Sequence, residues 1–287
     1  MAASLRSASK SLFDILGVVA TIDVVDIGAN PIDGDPPYKP LLDAGRARLV
    51  GFEPNPQGLA ELNRRKGPHE TYLPHAVYDG GRHLLNVCKA PGMSSLLPPN
   101  RDLLKFFHGF PEWSEVVART PVETVRLDEV TAIQSIDFQK IDVQGAELTV
   151  FRHGERHLAN CVAIHAEVEF LPMYVGQPLF SEVEMFLRER GFMLHKFEPL
   201  VSRVVQPMIV NNDVYAGFSQ LLWADAVFVR DITRLGKMTA DKLLKLAVIL
   251  HNLYGSHDLA LNVLLAHDTK ASTSFAKMFM QALASGP

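Results

Sequence analysis

The chain has 287 residues, 47% hydrophobic and 21% charged, a balance that excludes wholesale disorder and lets about three quarters of the extended surface be buried with no disulfide or metal staple. A formal net charge of −4 lacks the basic footprint of a nucleic-acid partner. The two cysteines, Cys88 and Cys161, are too few for a disulfide scaffold or a thiolate zinc site.

Arg6 and Lys10 precede an apolar run over 12–20 that Asp14 interrupts and that continues straight into a strand. It therefore predicts a short helix beside the sheet rather than a cleaved signal peptide. No apolar stretch approaches the roughly 18 residues of a membrane span, so a cytoplasmic protein is expected. Ile22–Ile27 and 48–52 are compact runs rich in Val, Ile and Phe, as buried parallel strands are. A short helix over 39–44 joins them; a helix over 57–65 and a strand over 71–77 follow. The stretch 82–120 reads as an irregular insert, with one strand at 83–88. Next come two strand–helix units, 138–143 into 146–158 and 161–170 into 181–190. For the last helix, Ser181 and Glu184 form a capping box and Phe180 and Met185 a staple, with Gly191 as the stop. Strands at 192–197, 203–210 and 224–230 follow, the last two as an antiparallel pair at the sheet edge.

A boundary near 231–236 separates a domain over 1–232 from a helical tail over 233–287. In that tail Leu243, Leu246, Ala247, Leu250 and Leu253 share one helix face, with Thr239 as cap and Gly255 as stop. Helices at 259–266 and 275–283 complete it without a repeat period, and it is a candidate homo-oligomer surface. The alternation as a whole predicts an α/β, doubly wound, mostly parallel sheet with an antiparallel edge and a small C-terminal helical appendage.

In such sheets ligands bind beyond the carboxyl ends of the strands, where the strand order switches. The first strand ends in Asp26-Ile27-Gly28-Ala29-Asn30, and Gly28 permits close backbone approach there. Asn30 and Asp33 stand where a dinucleotide fingerprint needs glycine, which favours a nucleoside over a pyrophosphate cofactor. The second strand ends in Gly51-Phe52-Glu53-Pro54-Asn55, where a carboxylate can accept both ribose hydroxyls. A solvated loop acid is the competing reading for Glu53. Asp26 would lie near the amino group of an amino acid moiety. Asp142 closes the fourth strand ahead of Gly145, as a functional acid or as a helix cap.

These motifs occur in order with Ser94-Ser95-Leu96, the 122–129 string, Lys140-Ile141-Asp142-Val143-Gln144-Gly145-Ala146-Glu147, the 165–170 string and Tyr174. Over about 24–197 the chain resembles the FkbM-type S-adenosylmethionine-dependent methyltransferases. The resemblance implies a Rossmann-like class I methyltransferase fold, S-adenosyl-L-methionine as cofactor, and methylation of a hydroxyl on a sugar, glycan or secondary metabolite. It implies that Gly28, Ala29, Asn30 and Glu53, with Asp26, Pro54 and Asn55 in the same two motifs, hold the cofactor, and that Asp142 joins them in cofactor binding while standing near the reacting centre. Ile32 departs from the pattern, which has a glycine there.

Other signals have plainer readings. Asp35-Pro36-Pro37-Tyr38 spells an amino-methyltransferase signature, but no strand precedes it, and chance is the better explanation. His153 and His157 share a helix face without the zincin order. Glu167 alternates with His165 and Glu169 and could share a divalent cation with Asp142; no metal is expected. For the chemistry Asp142 is the first choice of base and His75 the second, with Tyr174 and Glu167 beside the acceptor and Phe106, Phe107 and Trp113 in the covering insert. A nicotinamide-dependent oxidoreductase and a non-catalytic scaffold with a partner-binding tail are the alternatives.

Overall fold

The structure is a computed structural model that describes residues 10–30 and 34–285; the readings of Arg6 and Ile32 lie outside them. The strands in chain order are β1 (Ile22–Ile27), β2 (Ala47–Phe52), β3 (Glu70–Leu73), β4 (Ala76–Val77), β5 (Arg82–Cys88), β6 (Val116–Val125), β7 (Phe138–Ile141), β8 (Ala163–Glu169), β9 (Phe192–Arg203) and β10 (Gln220–Arg230). Seven of them form one sheet in the order β3-β2-β1-β7-β8-β10-β9, and β4-β6-β5 form a second. The pairs from β3 through β8 are parallel, and β10 runs antiparallel to both β8 and β9. The order turns back between β1 and β7, the switch point at which ligands bind in this architecture. The doubly wound α/β fold with an antiparallel edge is therefore present.

The helices are α1 (Leu12–Leu16), α2 (Lys39–Asp43), α3 (Pro56–Arg65), α4 (Arg101–Leu104), α5 (Phe110–Trp113), α6 (Glu147–Arg152), α7 (Glu155–Leu158), α8 (Phe180–Glu189), α9 (Ala240–Asn252), α10 (His257–Ala271) and α11 (Phe275–Ala284). None of the described helices is long and apolar enough to cross a membrane. Successive strand residues point to opposite faces, and both faces of this sheet are covered. On one, Ile22, Val24, Leu49, Phe138, Ala163 and Val227 pack with α1, α2, α9, α10 and α11. On the other, Val25, Ile27, Ile141, Ile164, Ala166 and Phe228 pack with α6, α7 and α8.

The C-terminal helices thus cover the first of these sheet faces together with α1 and α2. Their anchor is Asp137, fully buried just before β7, which accepts hydrogen bonds from Lys242 Nζ at 2.6 Å and the Asp23 N–H at 2.9 Å and pairs with Lys245 Nζ at 2.9 Å. Asn252 closes the other end, accepting from the Leu12 N–H and donating to Ser11 Oγ.

Several local expectations need correction. The 71–77 run divides at Pro74, leaving β3 in the large sheet and β4 in the small one. In the 82–120 stretch the strand expected at 83–88 is present as β5, and the residues between 89 and 115 form loops and short helices; the strand not expected is the ten-residue β6, which begins at Val116 and pairs antiparallel with β5. The 146–158 helix breaks at Gly154, where an added Cβ would stand 2.7 Å from the Leu127 side chain. The antiparallel edge pair is β9 with β10 rather than 203–210 with 224–230; β9 ends at Arg203, and Pro207 has no N–H with which to extend it. The capping box expected at Ser181 does not form: Ser181 lies inside α8, and the N-cap is Leu179, whose N–H donates to Glu182 at 2.9 Å and whose side chain has no acceptor to return the bond. Phe180 begins that helix because its ring packs between Phe170 and Phe197.

Candidate active site

The face covered by the C-terminal helices changes character along the strands. Val24, Phe138 and Ala163 are apolar, but two residues further toward the carboxyl ends the same register carries Asp26, Lys140 and His165. Glu167 follows, with Asp225 of β10 opposite it. Beyond the cover of the helices these side chains line a cavity of about 320 Å³, closed by Ala29, Asn30 and the 34–37 segment. A larger groove of about 640 Å³ lies on the small sheet, between Arg82, Leu84, Arg119 and Leu96. Its titratable residues form no convergent acid–base set, so the chemistry belongs to the smaller cavity.

Gly28 is required by close approach. Its φ is 85°, and a Cβ there would stand 2.0 Å from the Asp142 carbonyl oxygen. Asp142 N–H in turn donates to the Ile27 carbonyl, which holds the ends of β1 and β7 together. Asp26 is buried, accepting from Tyr38 Oη at 2.5 Å and from Lys140 Nζ at 3.4 Å. Burial raises its pKa against the pull of Lys140. Burial disfavours the Lys140 charge too, but Asp26, Asp142 and Asp225 more than offset this and hold its pKa above the usual value. Tyr38, the last residue of the Asp35-Pro36-Pro37-Tyr38 string, therefore serves as Asp26's partner, and Asp35, Pro36 and Pro37 form a wall of the cavity.

Glu53 is buried at the end of β2, with Oε1 accepting the Asn55 N–H at 2.6 Å and Oε2 without a hydrogen-bond partner among the described residues. Burial raises its pKa. It lies beside Asn30: a Cβ on Gly58 would meet Asn30 Nδ2 at 3.0 Å and the Glu53 side chain at 3.1 Å. Asn55 caps α3 by accepting from the Gln57 and Gly58 N–H groups, directly after Pro54. Asp26, Ala29, Asn30, Asp142 and Glu167 line the cavity; Gly28, Glu53, Pro54, Asn55, His75 and Tyr174 do not. His75 stands in the link between β3 and β4. Tyr174 is fully buried, its hydroxyl 2.8 Å from Gln144 Oε1 and 3.3 Å from the Met93 carbonyl.

Past β7 the acids converge. Carboxylate oxygens of Asp142, Glu147 and Glu167 lie within 4.8 Å of one another. Gln144 Nε2 donates to Asp142 Oδ1 at 2.7 Å and to Glu167 Oε2 at 2.8 Å, and Glu147 Oε1 takes the Val143 and Gly145 N–H groups. One oxygen of each acid is held by these protein donors and the other has no hydrogen-bond partner among the described residues, so the three form an amide-bridged set of acids. Burial, then the Asp142 charge, pushes Glu167 well up; burial and Glu147 do the same for Glu169; burial raises Glu147 to about 7.

A pH dependence follows. An acid whose folded pKa exceeds its unfolded one contributes stability below the unfolded value and loses it as pH rises through the folded value. His157, His195 and His251, lowered by burial, act in the opposite sense as pH falls through 6.5. Between pH 6.5 and 8.5 the acids act alone, so chemical denaturation should show stability falling by up to about 1.4 kcal/mol per pH unit for each ionising acid. A flat profile over that window would mean that the cluster does not titrate as a buried set.

Local sequence did not single out Gln144, Lys140, Asp225 or Tyr254. The Tyr254 hydroxyl lies 3.0 Å from His165 Nδ1, and His165 Nε2 lies 3.3 Å from Asp225 Oδ2. The alternation of polar residues in β8 was visible; its partners come from 60 to 90 residues away, where spacing gives no signal.

The chain is similar to known proteins. The family model of the methyltransferase FkbM domain matches residues 26–194. The curated 2-O-methyltransferase NoeI of Sinorhizobium fredii is 29% identical over 167 residues, which cover 54% of this chain and 66% of that protein. Among solved structures, precorrin-6y C5,15-methyltransferase from Geobacter metallireducens aligns with a TM-score of 0.37 at 12% identity, covering 76% of this chain and 85% of that one. M. jannaschii TYW2, solved with AdoMet, aligns with a TM-score of 0.30 at 12% identity, covering 76% and 74%.

Proposed function

This chain belongs to the FkbM methyltransferase family, and we propose that it methylates a hydroxyl oxygen of a sugar, glycan or secondary metabolite with S-adenosyl-L-methionine as donor. The observation that carries the reading is the charge of the cavity: Asp26, Asp35, Asp142 and Asp225 face Lys140, with Glu167 and His165 beside them. Such a lining suits a cationic sulfonium and repels a pyrophosphate, which tells against a nicotinamide cofactor. The spare Oε2 of Glu53 beside Asn30 suits the ribose hydroxyls. When bound, the donor supplies an activated methyl group, and the chain's work is positioning and proton removal. Asp142 lines the cavity, and its Oδ2 has no partner among the described residues, so it takes the proton of the acceptor hydroxyl. The curated relative's name, a 2-O-methyltransferase, supports an oxygen as the acceptor atom.

Calorimetric titration with S-adenosyl-L-methionine, with transfer of a labelled methyl group to a panel of glycans, tests this. Saturable heat that weakens in Glu53→Ala is expected; no heat with the wild type, or unchanged affinity in that variant, counts against the cofactor assignment. Asp142→Asn should lower kcat by about 10²- to 10⁴-fold, the usual worth of a general base, with donor affinity retained. Unchanged kcat would move the base elsewhere on the rim.

A further inference from the structure

Gln144 lies in the left-handed region, at φ 57°, a conformation that a residue with a side chain keeps only where its surroundings over-determine it. Four hydrogen bonds do so here. Nε2 donates to Asp142 Oδ1 and Glu167 Oε2, Oε1 accepts from the Tyr174 hydroxyl, and the main-chain carbonyl accepts from Ser95 Oγ at 2.7 Å. A carboxamide has one donor end and one acceptor end. Turned over, it would set its oxygen against two carboxylates, and the Tyr174 hydroxyl, donating to Oε1, selects the observed orientation. Closing the turn alone needs only the main-chain bond to Ser95 and the positive φ of Gly145. The reach of the side chain into the acids is a separate feature.

We propose that Gln144 is a positioning residue of the methyl-transfer site: its carboxamide bridges Asp142 and Glu167, commits one oxygen of each, and leaves Asp142 Oδ2 to take the acceptor's proton. The assignment rests on the reading of Asp142 given above. Asp26, Lys140, Glu147, Glu169, Tyr174 and Asp225 are the other charged or titratable groups coupled to this pair. Of these only Lys140 is a cation, so the bridging amide is the neutral donor that lets the two acids share one small volume.

The test is a ¹³C NMR titration of carboxyl-labelled protein. Gln144→Glu keeps the shape, removes the donor and adds a third acid between the two. The apparent pKa of the Asp142–Glu167 pair should rise by about one unit or more, because a lost donor and an added like charge both favour the protonated form. The acidic limb of the kcat/KM profile should rise with it, while donor affinity measured by calorimetry holds. Should that variant fail to fold, Gln144→Asn carries the same reading: its amide is one methylene too short to span both acids, and a smaller upward shift is expected. An unchanged pair titration with donor binding intact overturns the positioning role alone. A wild type that binds no donor overturns the methyl-transfer reading and this role with it.

Discussion

Gly28→Ala should cost the protein about 3–5 kcal/mol of stability, from left-handed strain together with overpacking against a fixed backbone. The new Cβ would stand 2.0 Å from the Asp142 carbonyl oxygen. That oxygen belongs to main chain, not to the end of a flexible side chain, so relief requires the ends of β1 and β7 to separate. The Asp142 N–H to Ile27 carbonyl bond would go with them. At about 2–4 °C per kcal/mol for a chain of this size, the melting midpoint should fall by roughly 10 °C, and calorimetric binding of S-adenosyl-L-methionine should weaken because the cavity rim moves. A midpoint within a degree or two of the wild type would show that the approach is softer than the geometry implies. The glycine commonly credited to cofactor contact would then have to be explained that way after all.

The second large effect concerns Asp137. Its fully buried carboxylate holds Lys242 and Lys245, at 2.6 and 2.9 Å, together with the Asp23 N–H. Removing one partner of a buried ion pair typically costs 3–5 kcal/mol, because the remaining charge is left unpaired. Here the lysine side chains are 19% and 13% exposed, so they can partly reach water, and Asp137→Ala should cost about 3 kcal/mol, the lower end of that range. Hydrogen exchange should rise more in α9 than in α6, because the lost contacts tie α9 to the sheet. Combining Asp137→Asn with Lys242→Met should recover part of the loss, since it removes one of the two lysine charges left without Asp137, while Lys245 keeps Asp241 at 3.4 Å. Equal loss of protection in both helices would mean that the C-terminal helices and the sheet unfold as one unit with Asp137 playing no special part.

What the sequence disclosed is what local pattern can carry. The runs at 22–27 and 48–52 were compact and apolar, and each ended in a motif, so β1, β2 and their rim were legible. The 140–147 string placed Asp142 and the turn after it. β6 was missed because Val117, Ala118, Arg119 and Thr120 are exposed and Pro121 interrupts them; a strand on a small, half-solvated sheet shows no clean alternation. The expected start of α8 fell two residues late because two Glu residues, Glu182 and Glu184, were available, and the aromatic packing of Phe180 decided between them. Tyr38 with Asp26, Tyr254 with His165, and Gln144 with Glu167 are contacts across strands or layers. Their specificity resides in the sheet register, which one sequence does not display.

The tail-side face of the sheet is oily at the start of its strands and charged at their ends, and the C-terminal helices cover only the oily half. Robustness and reactivity are therefore laid out in sequence along each strand instead of being mixed within one core. Engineers could repack the oily half, where Val24, Phe138 and Val227 share a core with the C-terminal helices, without touching the charged ends of the strands. Tyr254, which packs in that core and reaches His165 with its hydroxyl, is the place where the two properties cannot be tuned apart.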